Sequence, residues 1–112
     1  MARTKGRWDV VQSSGNFFSD LKLANAEEKQ TKVRLAVAIN HILGSQQLSQ
    51  IEAAKRLSIN QPKISALSNY RLAGFSVERL MNFLTALDRD VEIVIRTKRS
   101  SRRRATILVT AA

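Results

Sequence analysis

The chain has 112 residues, 44% hydrophobic and 25% charged, the composition of one small globular domain. It has no cysteine and one histidine, which excludes disulfides, thiolate metal sites and cysteine nucleophiles, and no apolar run reaches the ~18 residues of a membrane span. Nineteen Lys and Arg against nine Asp and Glu give a net charge of +10, which points to a polyanion partner, nucleic acid or an anionic membrane surface.

Residues 1–23 show no sustained period and read as a partly flexible arm. Ser13, Ser14, Gly15 and Asn16 are turn-like, and Phe17, Phe18, Leu21 and Leu23 form an apolar cluster through which the arm can dock, with Trp8 as a second anchor. No apolar stretch follows the charged N-terminus, so a secretory signal is not expected and the cytoplasm is. A first helix is expected from Asn25, a cap with Glu28 at its third position, and Glu27 and Glu28 suit the positive end of its dipole. Its inward stripe is Val33, Ala36, Val37, Asn40 and Leu43, widened by Ile39 and Ile42, and Gly44 ends it.

A second helix starts at Ser49, where Ser49-Gln50-Ile51-Glu52 is a capping box, with Ile51, Ala54 and Leu57 facing inward before Ser58. Asn60 caps a third helix, and Pro62 is tolerated in its first turn because that N–H has no intrahelical partner. Ile64 and Leu67 face inward. Ser76 caps a fourth helix carrying Val77, Leu80, Met81, Leu84 and Leu87 at 3–4 spacing. Residues 91–95 then alternate like a strand, and 107–109 can form another. The basic stretch from Lys98 to Arg104 lies between them, and residues 97–112 read as a basic tail. The fold class expected is mainly α: four or five helices and a C-terminal strand, with the domain proper at 24–96.

Two short capped helices separated only by Ser58-Ile59-Asn60 have the geometry of a helix-turn-helix, two helices crossing steeply about a tight turn. Ala54 is small where they come closest, and Ile59 plugs the gap beneath the turn.

Residues 48–54, 57–65 and Leu67 resemble the phage-repressor (XRE) class of helix-turn-helix. The continuation through Asn69-Tyr70-Arg71, Phe75-Ser76, Leu80, Leu84, Leu87 and Val91-Glu92-Ile93 is similar to HigA-type antitoxins, as is Gly15-Asn16-Phe17-Phe18-Ser19-Asp20-Leu21. The resemblance covers about residues 14–96. It implies a lambda-repressor-like fold. The implied function is sequence-specific binding of double-stranded DNA by an autorepressor that also binds a cognate toxin. Two positions depart from the family pattern. Ser58 stands where many members have glycine, and Ser68-Asn69-Tyr70 replaces the usual Glu-Asn-Gly after the recognition helix.

Position assigns the candidate roles. The helix beginning at Asn60 would enter the major groove of a palindromic operator with its N-terminal residues toward base edges. Gln61 leads, because a glutamine amide can pair bidentately with adenine. Lys63 can reach guanine or a phosphate; Ser65 and Ala66 lie on the outward side with it, and Pro62 can make van der Waals contact. Gln50 can hold a phosphate at the start of the preceding helix. Asn69 and Arg71 are candidate backbone contacts, and the Arg102–Arg104 run is either a solvated tail or a partner site.

No phosphate-binding glycine loop, His-Glu metal helix or nucleophile elbow is present, so no enzyme, metal or cofactor is expected. The expected function is a transcriptional regulator, nucleoid-associated when bound to DNA, with no membrane partner. The rival reading is a protein-interaction adaptor whose basic tail neutralises an acidic partner or membrane surface. A strand at 91–96 would leave its edges open. A homodimer is therefore expected, with Val91, Ile93 and Ile95 paired across the axis and Leu80 and Leu84 packed beneath. A hairpin with 106–110 and a strand donated by a toxin are the alternatives.

Overall fold

In the computed structural model the described residues form four helices in sequence: α1 (Ser14–Ser45), α2 (Gln50–Leu57), α3 (Gln61–Ser68) and α4 (Val77–Ala86). The structure describes residues 14–101 and 104–111, with side chains from residue 22 onward. The arm before Ser14, with Trp8, lies outside the described residues, as do the side chains of Phe17, Phe18 and Leu21.

α1 is longer than its sequence signals suggest. Its 32 residues run through Asn25, which lies inside the helix rather than capping it. A favourable capping pattern stops a helix only where the preceding residues leave the helical conformation, and here they do not. The buried stripe is also shifted: Leu35, Ala36, Ile39, Ile42 and Leu43 enter the core, with Thr31 above them. Val33 and Val37 are 43% and 51% exposed, so they are not inward residues. Leu35 completes a clean 35, 39, 42, 43 face, which a stripe started at Val33 splits. The Asn40 side-chain amide donates to Leu67 O at 3.1 Å, tying α1 to the end of α3.

α1 packs mainly on α4, and α2 on α3. α4 contributes Leu80, Phe83 and Leu84, followed by Leu87; Phe83 belongs to the core beside the aliphatic residues expected there. Phe75, just before α4, meets the Phe83 ring edge-on at 5.8 Å between centroids. In α2 the buried residues are Ala53 and Leu57, whereas Ala54 is half-buried and Ile51 is 56% exposed. The fully buried small residue of α2 is therefore Ala53 and not Ala54.

All four helices end the same way. Gln47, Ser58, Tyr70 and Asp88 take positive φ (53°, 57°, 58° and 63°), and no described glycine does. Each is followed by a residue whose N–H reaches back to a helix carbonyl: Leu48 to Leu43, Ile59 to Ala54, Arg71 to Ala66, and Arg89 to Leu84. Each site is thus a Schellman closure built on a non-glycine residue. α1 accordingly ends at Ser45 with Gln47 as its left-handed residue, not at Gly44.

The expected C-terminal strand is absent: no β-strand occurs among the described residues. Beyond α4 the chain continues without regular structure, with Ile93, Val94 and Ile95 74%, 62% and 92% exposed. A strand needs a hydrogen-bonding neighbour, and a lone two-stranded hairpin is marginal in water, so alternation alone does not create one. Val91 and Val109 nonetheless pack partly on the helical core.

Candidate nucleic-acid interface

The turn between α2 and α3 is fixed by caps on both sides. Ser49 Oγ accepts the Glu52 N–H at 3.1 Å, and Glu52 Oε1 accepts the Ser49 N–H at 2.8 Å, completing the capping box of α2. These bonds hold the Glu52 carboxyl below its usual range, the Ser49 backbone N–H first and its hydroxyl second. Ser58 turns the chain in the left-handed region (φ 57°, ψ 42°), with Ile59 half-buried behind it. Asn60 Oδ1 then accepts the Lys63 N–H at 2.9 Å and starts α3, with Pro62 in its first turn.

This frame decides what α3 shows to solvent. Ile64 and Leu67 are buried, which fixes the rotation of the helix about its axis. Gln61 and Pro62 are exposed at its N-terminus; Lys63, Ser65 and Ala66 are half-buried. Gln50, at the start of α2, and Arg71, after α3, are also exposed. The structure therefore brings Gln61, Pro62 and Lys63 together at the start of α3.

Three candidates are occupied by the fold. The Asn60 side chain is the cap of α3. The Asn69 amide turns back to its own helix, donating to Ser65 O at 2.8 Å and lying 3.5 Å from Ser65 Oγ. The Lys63 ammonium lies 5.6 Å from the centre of the Phe75 ring. Leu80 and Leu84, expected beneath a dimer strand, are buried within this chain's own core at 0% and 7% exposure. Arg104, at the edge of the arginine run, lies 3.9 Å from Glu27, while Arg102 and Arg103 are outside the described residues.

Two residues that sequence reasoning did not single out border this surface. Tyr70, the residue after the Asn69 cap of α3, is 44% exposed. Arg79 lies 5.8 Å from the centre of Phe75, the ring that also faces Lys63, and 5.7 Å from that of Phe83. Tyr70 had a signal, since it stands in the exit of the third helix; Arg79 had none, because its neighbourhood comes from tertiary packing. An open groove bounded by Ile51, Lys55 and Gln61 runs beside the turn.

Among the described residues no cluster of three His, Asp or Glu side chains could hold a metal ion, and no helix is long and apolar enough to cross a membrane. What remains is a capped helix whose N-terminus presents the Gln61 amide to solvent, with Lys63 half-buried beside it and Arg71 exposed beyond its end.

Comparison with known proteins agrees with this geometry. Residues 17–96 match a family described as a helix-turn-helix domain. A solved structure named, provisionally, as an XRE family transcriptional regulator is 64% identical. It covers 79% of this chain and 99% of its own, with a TM-score of 0.76. No curated protein matches.

Proposed function

We propose, for a chain that belongs to the helix-turn-helix domain family, a sequence-specific transcriptional regulator that reads double-stranded DNA through α3. One observation carries this reading: the start of α3 is capped by Asn60 and its inner face is anchored by Ile64 and Leu67, leaving Gln61 and Pro62 exposed. An amide at a helix N-terminus, held on a fixed backbone, can meet an adenine edge in the major groove. The net charge of +10 supplies the sequence-independent attraction to phosphates. Gln50, at the start of α2, and Arg71, after α3, take the role of phosphate contacts, while Lys63 reaches a base or a phosphate only by leaving the Phe75 ring.

Within this reading the regulator acts as a homodimer on a palindromic operator. Its finer identity is an autorepressing antitoxin with a cognate toxin, supported by the resemblance of residues 14–96 to that class. Fluorescence anisotropy with duplexes selected from a random pool tests the DNA function. A regulator binds selected duplexes far more tightly than random ones, and its log K falls linearly with log salt. Equal affinity for all duplexes overturns the reading. For the antitoxin identity, a small toxin gene adjacent on the chromosome whose product co-purifies is the expected result; an unrelated neighbour that does not bind contradicts it.

A further inference from the structure

The buried ring of Phe75 carries two cations: Lys63 Nζ lies 5.6 Å and Arg79 Cζ 5.8 Å from its centre. They come from different helices. Lys63 stands in the first turn of α3, where Asn60 Oδ1 accepts its N–H at 2.9 Å. Arg79 stands in the first turn of α4, where Ser76 Oγ accepts its N–H at 3.0 Å. One ring therefore sets the Arg79 side chain beside the start of the helix that carries Gln61.

This grouping costs the free protein. Two like charges share one neighbourhood, and each stands near the positive end of a helix dipole, where a carboxylate is favoured. Glu78, also in the first turn of α4, is exposed and pairs with neither cation. Among the described residues neither Lys63 nor Arg79 has a carboxylate within ion-pair distance. Arg79 is the single basic residue between Arg71 and Arg89, so it does not belong to a general basic run. Breaches of local preference of this kind are expected at functional sites, and here an outside anion would relieve the breach.

The two cations are held differently. Arg79 also lies 5.7 Å from the centre of Phe83, a second buried ring that meets Phe75 edge-on. Among the described residues its guanidinium makes no hydrogen bond, which leaves a planar fork open to a phosphate. Lys63 has one ring and a flexible stem, so it is the cation that can leave.

We propose that Arg79 binds a backbone phosphate of the duplex that α3 enters, with Phe75 and Phe83 as its positioning residues. The site is the pair of side chains on the Phe75 ring: Lys63 moves to the DNA, and Arg79 meets it in place. This assignment rests on the reading of α3 as the recognition helix and adds to it a contact from α4.

Anisotropy titrations of the full-length chain on selected and random duplexes, at several salt concentrations, test it. Arg79→Met removes the charge and keeps a side chain that packs on rings. Its affinity falls roughly fivefold at about 0.15 M salt on both kinds of duplex, and the slope of log K against log salt shrinks by about 0.9. Arg79→Lys keeps the native slope, because the charge remains. Helical circular dichroism verifies folding, and Arg79→Gln replaces the methionine variant if that one does not fold. An arginine that serves packing alone gives a lower melting temperature and an unchanged slope. An unchanged slope overturns the assignment and leaves the regulator reading intact. A native chain that binds all duplexes equally overturns the regulator reading instead, and the slope of Arg79→Met still decides whether Arg79 meets a phosphate. A native chain that binds no duplex overturns both.

Discussion

The main-chain N–H of Ile107 donates to Glu27 Oε2 at 3.0 Å, joining residues eighty positions apart. Two further contacts reinforce it: Arg104 lies 3.9 Å from Glu27 Oε1, and Arg34 donates to Ile107 O at 3.4 Å. The end of the chain is therefore stitched to α1 through a carboxylate that is about one-fifth exposed. Glu27, which suits a helix start on sequence grounds, is instead an interior residue of α1 and the receptor for the C-terminal segment.

Replacing Glu27 by Ala removes that acceptor. Amide exchange at Ile107 should accelerate markedly while exchange in α4 stays slow, since the helical core is untouched. A loss of about 1 kcal/mol in urea unfolding is the accompanying expectation, because one charge-assisted hydrogen bond is removed from a partly solvated site. Unchanged exchange at Ile107 would show that the contact is not formed in solution.

The four non-glycine helix ends predict a gain. A left-handed backbone costs an L-residue about 1–2 kcal/mol, and glycine removes that cost while losing roughly 0.5–1 kcal/mol through its freer unfolded chain. Gln47→Gly and Ser58→Gly should each stabilise the domain by up to about 1 kcal/mol. Both residues are exposed, so the substitutions remove little packing. Thermal unfolding measures this, and a lower melting temperature for both variants would contradict the assignment of these residues as the turning points.

Glu52 predicts a pH dependence. Its folded pKa lies below the ordinary value of 4.5, because the charged form accepts the Ser49 N–H. A depressed carboxylate contributes stability that is complete above its unfolded pKa and is lost as pH falls through the lower folded value. Glu52→Gln should therefore be less stable than the native chain at neutral pH, and the two should converge as pH falls through the lowered folded value of Glu52. A gap that persists at acid pH would mean that the charge of Glu52 does not matter to the cap.

The recognisable parts of this protein are those encoded locally. Ser49, Asn60 and Ser76 each cap a helix where a polar side chain can reach the N–H three residues on, a relationship contained in four consecutive residues. Ile64 and Leu67 are buried as their spacing implies. Sequence and structure part where local patterns compete with tertiary packing. Val33 and Leu35 are equally apolar, and only the position of α4 decides which one is buried. Asn25 has every local mark of a cap, yet the helix enters from further upstream. The alternation at 91–95 is a property of side chains, whereas a strand is a property of pairs. Within the candidate interface, the exposure of Gln61 and Pro62 follows from local caps, but the capture of Lys63 by Phe75 depends on a ring twelve residues away.

If α3 reads sequence, Gln61 does much of the reading. Binding of Gln61→Ala and of the native chain is to be compared on duplexes selected by the native protein and on random duplexes, across several salt concentrations. The expected result is a loss of about 1–3 kcal/mol on the selected duplexes, almost none on random DNA, and an unchanged salt slope. Neutralising Arg102, Arg103 and Arg104 is the control for the phosphate term. If that run touches DNA, it should weaken all duplexes alike and shrink the slope by up to about 0.9 for each phosphate no longer neutralised. Equal weakening of selected and random DNA by Gln61→Ala would contradict the placement of α3 as the recognition helix.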